Sequence, residues 1–174
     1  AFEFSRYSPR LAIGSDQTSG GNSSNLFYEM KIGALLNKCR FKDPSLFQAW
    51  KMLRLATIDG ARAMGMGHVI GSLEPGKKAD MIMLDLEVPQ MTPLVWDPVS
   101  NLIPNLVYAA NGSEVQLSMV DGRIIMEDRI LLSIDEKKII REAQQEGRKL
   151  LERAGHKLLE KNSMIQKLKK ENKL

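Results

Sequence analysis

The chain has 174 residues, 43% apolar and 26% charged, with a formal net charge of +4, a composition expected of a globular protein long enough to bury a core. No apolar run approaches the roughly 20 residues needed to cross a bilayer, and the single cysteine, Cys39, excludes an internal disulfide and a cysteine-rich metal centre. The charge is uneven: residues 135–174 carry 12 Lys/Arg against 7 Asp/Glu, whereas residues 1–134 carry 13 against 14.

In chain order, Leu11-Ala-Ile-Gly-Ser15 reads as a strand of the continuously apolar, buried kind found in parallel sheets. It ends in Asp16 and opens into the polar run Gln17-Thr-Ser-Gly-Gly-Asn-Ser-Ser-Asn25. Ser24 or Asn25 then caps a helix from Leu26 to about Lys38, whose apolar residues share one side. Asp43-Pro44 has the form of a second helix start, an acidic cap followed by Pro. That helix is expected to end near Asp59-Gly60, with a short further turn to Met64.

Beyond Gly65 the pattern turns to β structure. Glu74-Pro-Gly-Lys77 has Pro and Gly in the type II turn positions. Residues 79–85 read as a strand, followed by a loop punctuated by Pro89, Pro93, Pro98 and Pro104. Two further strands, 115–120 and 123–127, flank Asp121-Gly122, the pair that favours a type I′ hairpin. Ser133-Ile-Asp-Glu136 is a capping box, and the helix it opens continues close to the C-terminus, weakened by Gly147 and Gly155. The expected divisions are therefore 1–64, 65–132 and 133–174. Basic and acidic residues alternate along the last segment without aromatic residues, so a solvated face is expected rather than nucleic-acid binding.

Chemistry-bearing residues are few. A strand that ends in a carboxylate is how a barrel delivers an acidic catalytic group, although an Asp in that position can also simply cap the next turn. The glycine spacing after Gly14 fits neither a dinucleotide fingerprint nor a P-loop. Only two histidines exist, His68 in a polar turn and His156 in the charged tail, and both read as surface residues. Asp80 and Asp85 read as turn formers, and Cys39 as a free thiol.

Several segments in order carry a family resemblance. Gly14-Ser-Asp16 with its Ser/Asn-rich loop, Leu26-Phe-Tyr-Glu-Met30 and Ala34-Leu-Leu36 resemble the last barrel unit of the amidohydrolase superfamily. Residues 56–65, Ala-Thr-Ile-Asp-Gly-Ala-Arg-Ala-Met-Gly, resemble its following helix. Residues 71–85, Gly-Ser-Leu-Glu-Pro-Gly-Lys-Lys-Ala-Asp-Met-Ile-Met-Leu-Asp, resemble its C-terminal signature. Pro89-Gln-Met-Thr-Pro93, Asp97-Pro98, Leu106-Val-Tyr-Ala and Val120-Asp-Gly122 resemble the branch of methylthioadenosine/S-adenosylhomocysteine deaminases and chlorotriazine hydrolases.

The resemblance implies an α/β plus β fold: the last βα portion of a metal-dependent (β/α)8 barrel, the C-terminal part of a composite β-sandwich, and a long C-terminal helix. It implies a divalent metal, zinc or iron, that activates water for attack on a ring carbon bearing an amine or halide, as in deamination of a purine- or triazine-like ring. Asp16 matches the family's last-strand Asp, a metal contact that also serves in proton transfer. Ser19, Asn22 and Ser23 match the region of substrate-side groups, although Gln17 and Gly20-Gly21 depart from the commoner loop pattern.

The family's His-x-His pair and middle-strand histidines are absent from these residues. The chain, which opens Ala1-Phe-Glu without an initiating Met, is accordingly read as a fragment of an enzyme. Its expected partners are the missing N-terminal portion, a small-molecule substrate and a second copy of the protein, with no nucleic acid and no membrane. Alone it is expected to be inactive and without a bound metal. A reducing, cytoplasmic setting follows from the cysteine usage. A non-catalytic interaction module, or one half of a split enzyme, is the alternative.

Overall fold

The computed structural model describes residues 10–16, 23–161 and 163–173. Contacts divide the chain into two units, one up to Leu132 and one from Ser133 onward.

In the first unit the helices come early. Helix α1 spans Leu26–Phe41, and its N-cap is Asn25, whose side chain accepts hydrogen bonds from the backbone amides of Phe27 and Tyr28. Its C-terminus closes on Lys42 in the left-handed region (φ 51°), with Lys42 N donating to Cys39 O and Asp43 N to Lys38 O. That is the Schellman arrangement, which satisfies carbonyls the helix would otherwise leave open.

The second helix starts later than Asp43-Pro44 suggested. Asp43 does act as a cap, accepting from Ser45 N at 2.8 Å and Ser45 Oγ at 2.6 Å. The turn it opens stops at Phe47, which is buried with φ 45°. A left-handed residue cannot propagate a right-handed helix, so α2 begins only at Ala49 and runs to Ala56. Thr57 (φ −128°, ψ −109°) separates it from α3, Ile58–Ala63.

These helices bury Met30, Ala34, Phe47, Ala49, Met52 and Leu55 together with Val107. Met52 is among the largest fully buried side chains; burying a side chain of that size contributes about 1.5–3 kcal/mol. Val107 comes from a helix hidden within the proline-punctuated stretch, α4, Leu102–Tyr108, which packs on α1 and α2. Pro104 sits in its first turn, where a missing N–H costs nothing. The loop before it is tied by Asn101, which accepts from Val95 N and donates to Pro93 O, each at 2.9 Å.

The sheet is antiparallel and ordered β1-β2-β3-β4: Met81–Leu84, Val115–Val120, Arg123–Glu127 and Ile130–Leu131. Glu74-Pro-Gly-Lys77 forms the expected turn ahead of it, with Gly76 at φ 90° and Lys77 N donating to Glu74 O at 3.1 Å. Asp121 and Gly122 both have positive φ (50° and 76°), and Val120 faces Arg123, as a type I′ hairpin requires. Asp128 and Arg129 repeat the device at φ 47° and 63°, turning β3 into β4.

The strand expected over Leu11–Ser15 is not formed. The segment has no ladder partner among the described residues, and its burial alternates: Leu11, Ile13 and Ser15 are partly buried, while Ala12, Gly14 and Asp16 are exposed. Leu11 and Ile13 pack against the helical core, and Ile13 N donates to Leu55 O at 3.3 Å. A strand becomes a strand only by pairing, and here the chain runs over helices instead.

In the second unit, helix α5 covers Glu136–Lys161 and α6 covers Ser163–Lys170. The cap is Asp135 rather than Ser133: its side chain accepts from Lys138 N at 2.9 Å. Pairs such as Glu146–Lys149 at 2.7 Å lie along α5, and Ile140, Leu150 and Leu151 are exposed. No helix among the described residues is long and apolar enough to cross a membrane.

Candidate functional site at the Asp16 segment

The site builds from the alternation just described. Because Leu11 and Ile13 anchor one face of the segment on the helices, Asp16 falls on the open face at its end. Its φ is 56°, a left-handed conformation that Asp tolerates better than most residues. The same left-handed conformation serves helix ends and turns at Lys42, Phe47, Asp121, Asp128 and Arg129, so at Asp16 it fits a turn out of the segment and does not by itself mark a function.

Ser23, the next candidate within the described residues, accepts a hydrogen bond on Oγ from Asn25 N at 3.1 Å. Ser19 and Asn22 lie outside the described residues. Asn25 is bound in turn: besides capping α1, its Nδ2 donates to Asn111 O at 2.6 Å, a link across 86 positions of sequence.

Asn111 belongs to a turn that sequence reasoning passed over. Glu114, with no solvent exposure, turns its carboxylate back onto this turn, accepting from Gly112 N at 2.8 Å and Asn111 N at 3.2 Å. Asp85 N donates to Glu114 O at 2.8 Å, and the Arg129 guanidinium donates to Ser113 O. The available signal was Asn111-Gly112, a turn doublet followed by an acid two positions later.

The remaining candidates stand apart. His68, His156 and Cys39 are exposed. Asp80 accepts from Asp121 N at 2.6 Å and Asp85 from Glu87 N at 2.8 Å, so both shape turns. An apolar cleft of about 540 Å³ is lined by Ala12, Ile13, Leu55, Gly60, Ile70 and Met81 among others, but not by Asp16. Its one carboxylate, Asp80, is already engaged.

Among the described residues, the most highly connected charge cluster is structural. Asp59 receives Arg54 through two bonds, at 2.6 and 3.1 Å, and Lys51 at 3.1 Å. The Arg54 hydrogen bond, followed by Lys51, holds its carboxyl below the usual carboxylate range. A lowered folded pKa adds stability above the unfolded value of about 3.9, and that stability disappears as pH falls through the folded value. Urea melts from pH 7 to pH 2 should therefore show Asp59→Asn less stable than the native chain at neutral pH. The two should converge below pH 4, and a gap that persists unchanged at the acid end would contradict the assignment.

As for a metal, the carboxylate of Asp16 is a suitable oxygen ligand, but a zinc centre takes three or four protein ligands. Among the described residues no group of three His, Cys, Asp or Glu side chains could hold a metal ion. The donor set of the described residues does not fit one.

Comparison with known proteins gives this geometry its context. The profile of the Amidohydrolase family matches residues 6–125, well over half of the chain. The chain belongs to the amidohydrolase family. It is 37% identical over 141 residues to a 5-methylthioadenosine/S-adenosylhomocysteine deaminase of Syntrophomonas wolfei, covering 81% of this chain and 32% of that one. It is 38% identical over 149 residues to an S-triazine hydrolase of Gordonia rubripertincta, covering 83% and 30%.

Among solved structures, an adenosine deaminase from Xanthomonas campestris with bound zinc matches at a TM-score of 0.72 and 34% identity, covering 78% of this chain and 30% of that one. The relatives are thus of the branch that the motifs between residues 89 and 122 resemble. This amidohydrolase chain spans about a third of the length of the curated relatives it matches.

Proposed function

We propose that this chain forms the C-terminal part of a metal-dependent amidohydrolase that hydrolyses a carbon–nitrogen bond other than a peptide bond, deaminating a purine- or triazine-like ring. The observation that carries the reading is Asp16, exposed and left-handed at the end of a segment anchored on the helical core. The family profile runs through that position. In this reading residues 1–64 belong to the end of a (β/α)8 barrel, residues 65–132 to a composite β-sandwich, and the open face of Leu11–Asp16 receives barrel strands from sequence outside these 174 residues.

A divalent metal bound in the complete enzyme lowers the pKa of coordinated water towards neutrality. A zinc-bound relative supports zinc as that metal. The ligands missing from this chain come from outside it, on one polypeptide or as the other part of a split enzyme. The part of Asp16 is its own: an exposed carboxylate at the segment end, able to accept a proton from water. Ser23, whose Oγ accepts from Asn25 N, is proposed to stand on the substrate side. The protein is proposed to be cytoplasmic, to act on a small amine or halide, and to self-associate, a reading that the exposed Ile140, Leu150 and Leu151 favour.

Ammonia release tests the reaction class. The complete protein is expected to free ammonia from an aminopurine nucleoside or an aminotriazine, and to lose that activity on metal chelation. Neither substrate class yielding ammonia, or release that chelators leave untouched, would overturn it.

A further inference from the structure

A fully buried carboxylate with no part in the proposed chemistry needs a reason to be there, because burying one is costly unless it is hydrogen-bonded. Glu114 meets that condition through backbone amides, Gly112 N at 2.8 Å and Asn111 N at 3.2 Å. Those bonds fix the direction of the Asn111 carbonyl, which accepts from Asn25 Nδ2 at 2.6 Å. With its nitrogen engaged there, the Asn25 amide presents Oδ1 to Phe27 N at 3.0 Å and Tyr28 N at 3.4 Å. The backbone N–H of the same residue holds Ser23 Oγ at 3.1 Å.

The turn is built on Gly112, whose φ of 95° is a conformation that side chains rarely adopt. Asp85 N on Glu114 O and Arg129 on Ser113 O fasten the turn from the other side.

From this chain of contacts we infer that Glu114 is a positioning residue. It orients the Asn111–Gly112 turn, through it the Asn25 cap, and through Asn25 the Ser23 side of the candidate site. The inference gives Glu114 a place in the proposed function, but its physical core, a coupling between Glu114 and Asn25, does not depend on any activity.

Amide hydrogen exchange on the 174-residue chain tests that coupling. Glu114→Ala is expected to speed exchange at Phe27 and Tyr28 about tenfold, the loss of one local hydrogen-bonded element, with Met52 and Leu55 in the core unchanged. Glu114→Gln, which retains an acceptor oxygen for Gly112 N, should restore most of the protection. Should Glu114→Ala fail to fold, Asn25→Asp gives the reciprocal test. It keeps a capping oxygen for Phe27 N and sets a charged, acceptor-only oxygen against the Asn111 carbonyl in place of the donor, so Gly112 exchange should rise while Phe27 stays protected. Native exchange at Phe27 and Tyr28 in Glu114→Ala, or at Gly112 in Asn25→Asp, would overturn the inference. So would rates that rise equally throughout the core. The ammonia assay can fail without affecting this result, and the reverse holds too.

Discussion

Asp16→Asn in the complete enzyme should fold normally and lose its turnover by about three orders of magnitude, the middle of the range for removing a positioned proton-transfer group. The substitution keeps the size of the side chain but replaces one carboxylate oxygen by an amide N–H donor, removing the negative charge and proton affinity. Asp16 is exposed at the end of its segment, and Asn accepts a left-handed backbone at least as well as Asp. Stability should therefore be almost unchanged. Ammonia release and a thermal melt, measured on the same preparation, separate the two effects. Undiminished turnover would remove Asp16 from the chemistry, and a collapsed melt would reduce it to a structural cap.

The largest expected effect on stability lies elsewhere, at Gly71. Its φ is 91°, and a Cβ there would stand 2.7 Å from Ala61 Cβ, 3.0 Å from Ile58 Cα and 3.1 Å from Thr57 O. Those contacts are the backbone and short side chains of the α2–α3 junction, which have no flexible end to move aside. Gly71→Ala combines a left-handed backbone penalty with overpacking, together about 2–5 kcal/mol. Gly76 provides the control. Its φ is also positive, 90°, but nothing lies within 4 Å of its Cβ position, so Gly76→Ala should cost only about 1 kcal/mol. Denaturant melts of the two variants measure the difference, and equal losses would mean that the Gly71 contacts carry no weight.

How far the sequence could be read depended on whether a signal was local. Asp121-Gly122 announced its hairpin because both positions need positive φ and glycine supplies it cheaply. Asp128-Arg129 makes the same turn without glycine, and so escaped notice. Asn25 was visible as a cap because capping is decided within four residues. The delayed start of α2 was not, because the interruption comes from Phe47, a residue turned inward by packing against a core that the sequence does not display. Helix α4 was masked by Pro104, which reads as a breaker unless it is known to occupy a first turn.

The same distinction governs the candidate site. Asp16 could be found from an apolar run ending in an acid, and the family resemblance narrowed its role. That its segment would have no ladder partner among the described residues could not be foreseen, since strand pairing depends on residues distant in the chain. Glu114 and Asn25 are separated by most of the first unit, and only the fold brings the Asn111 turn against the α1 cap. The aspartates that read as turn formers, Asp80 and Asp85, do form turns, because their partners are backbone amides set by nearby loops and the adjoining hairpin.

The central claim is that Asp16 is one donor of a metal site completed by residues outside this chain. Zinc content after equilibrium dialysis of the purified 174-residue chain against micromolar zinc tests that most directly. Well under one equivalent per chain is expected, with no change on Asp16→Asn, since a lone carboxylate holds zinc poorly. One tightly held zinc per chain, released by Asp16→Asn, would show a complete site within these residues and contradict the account.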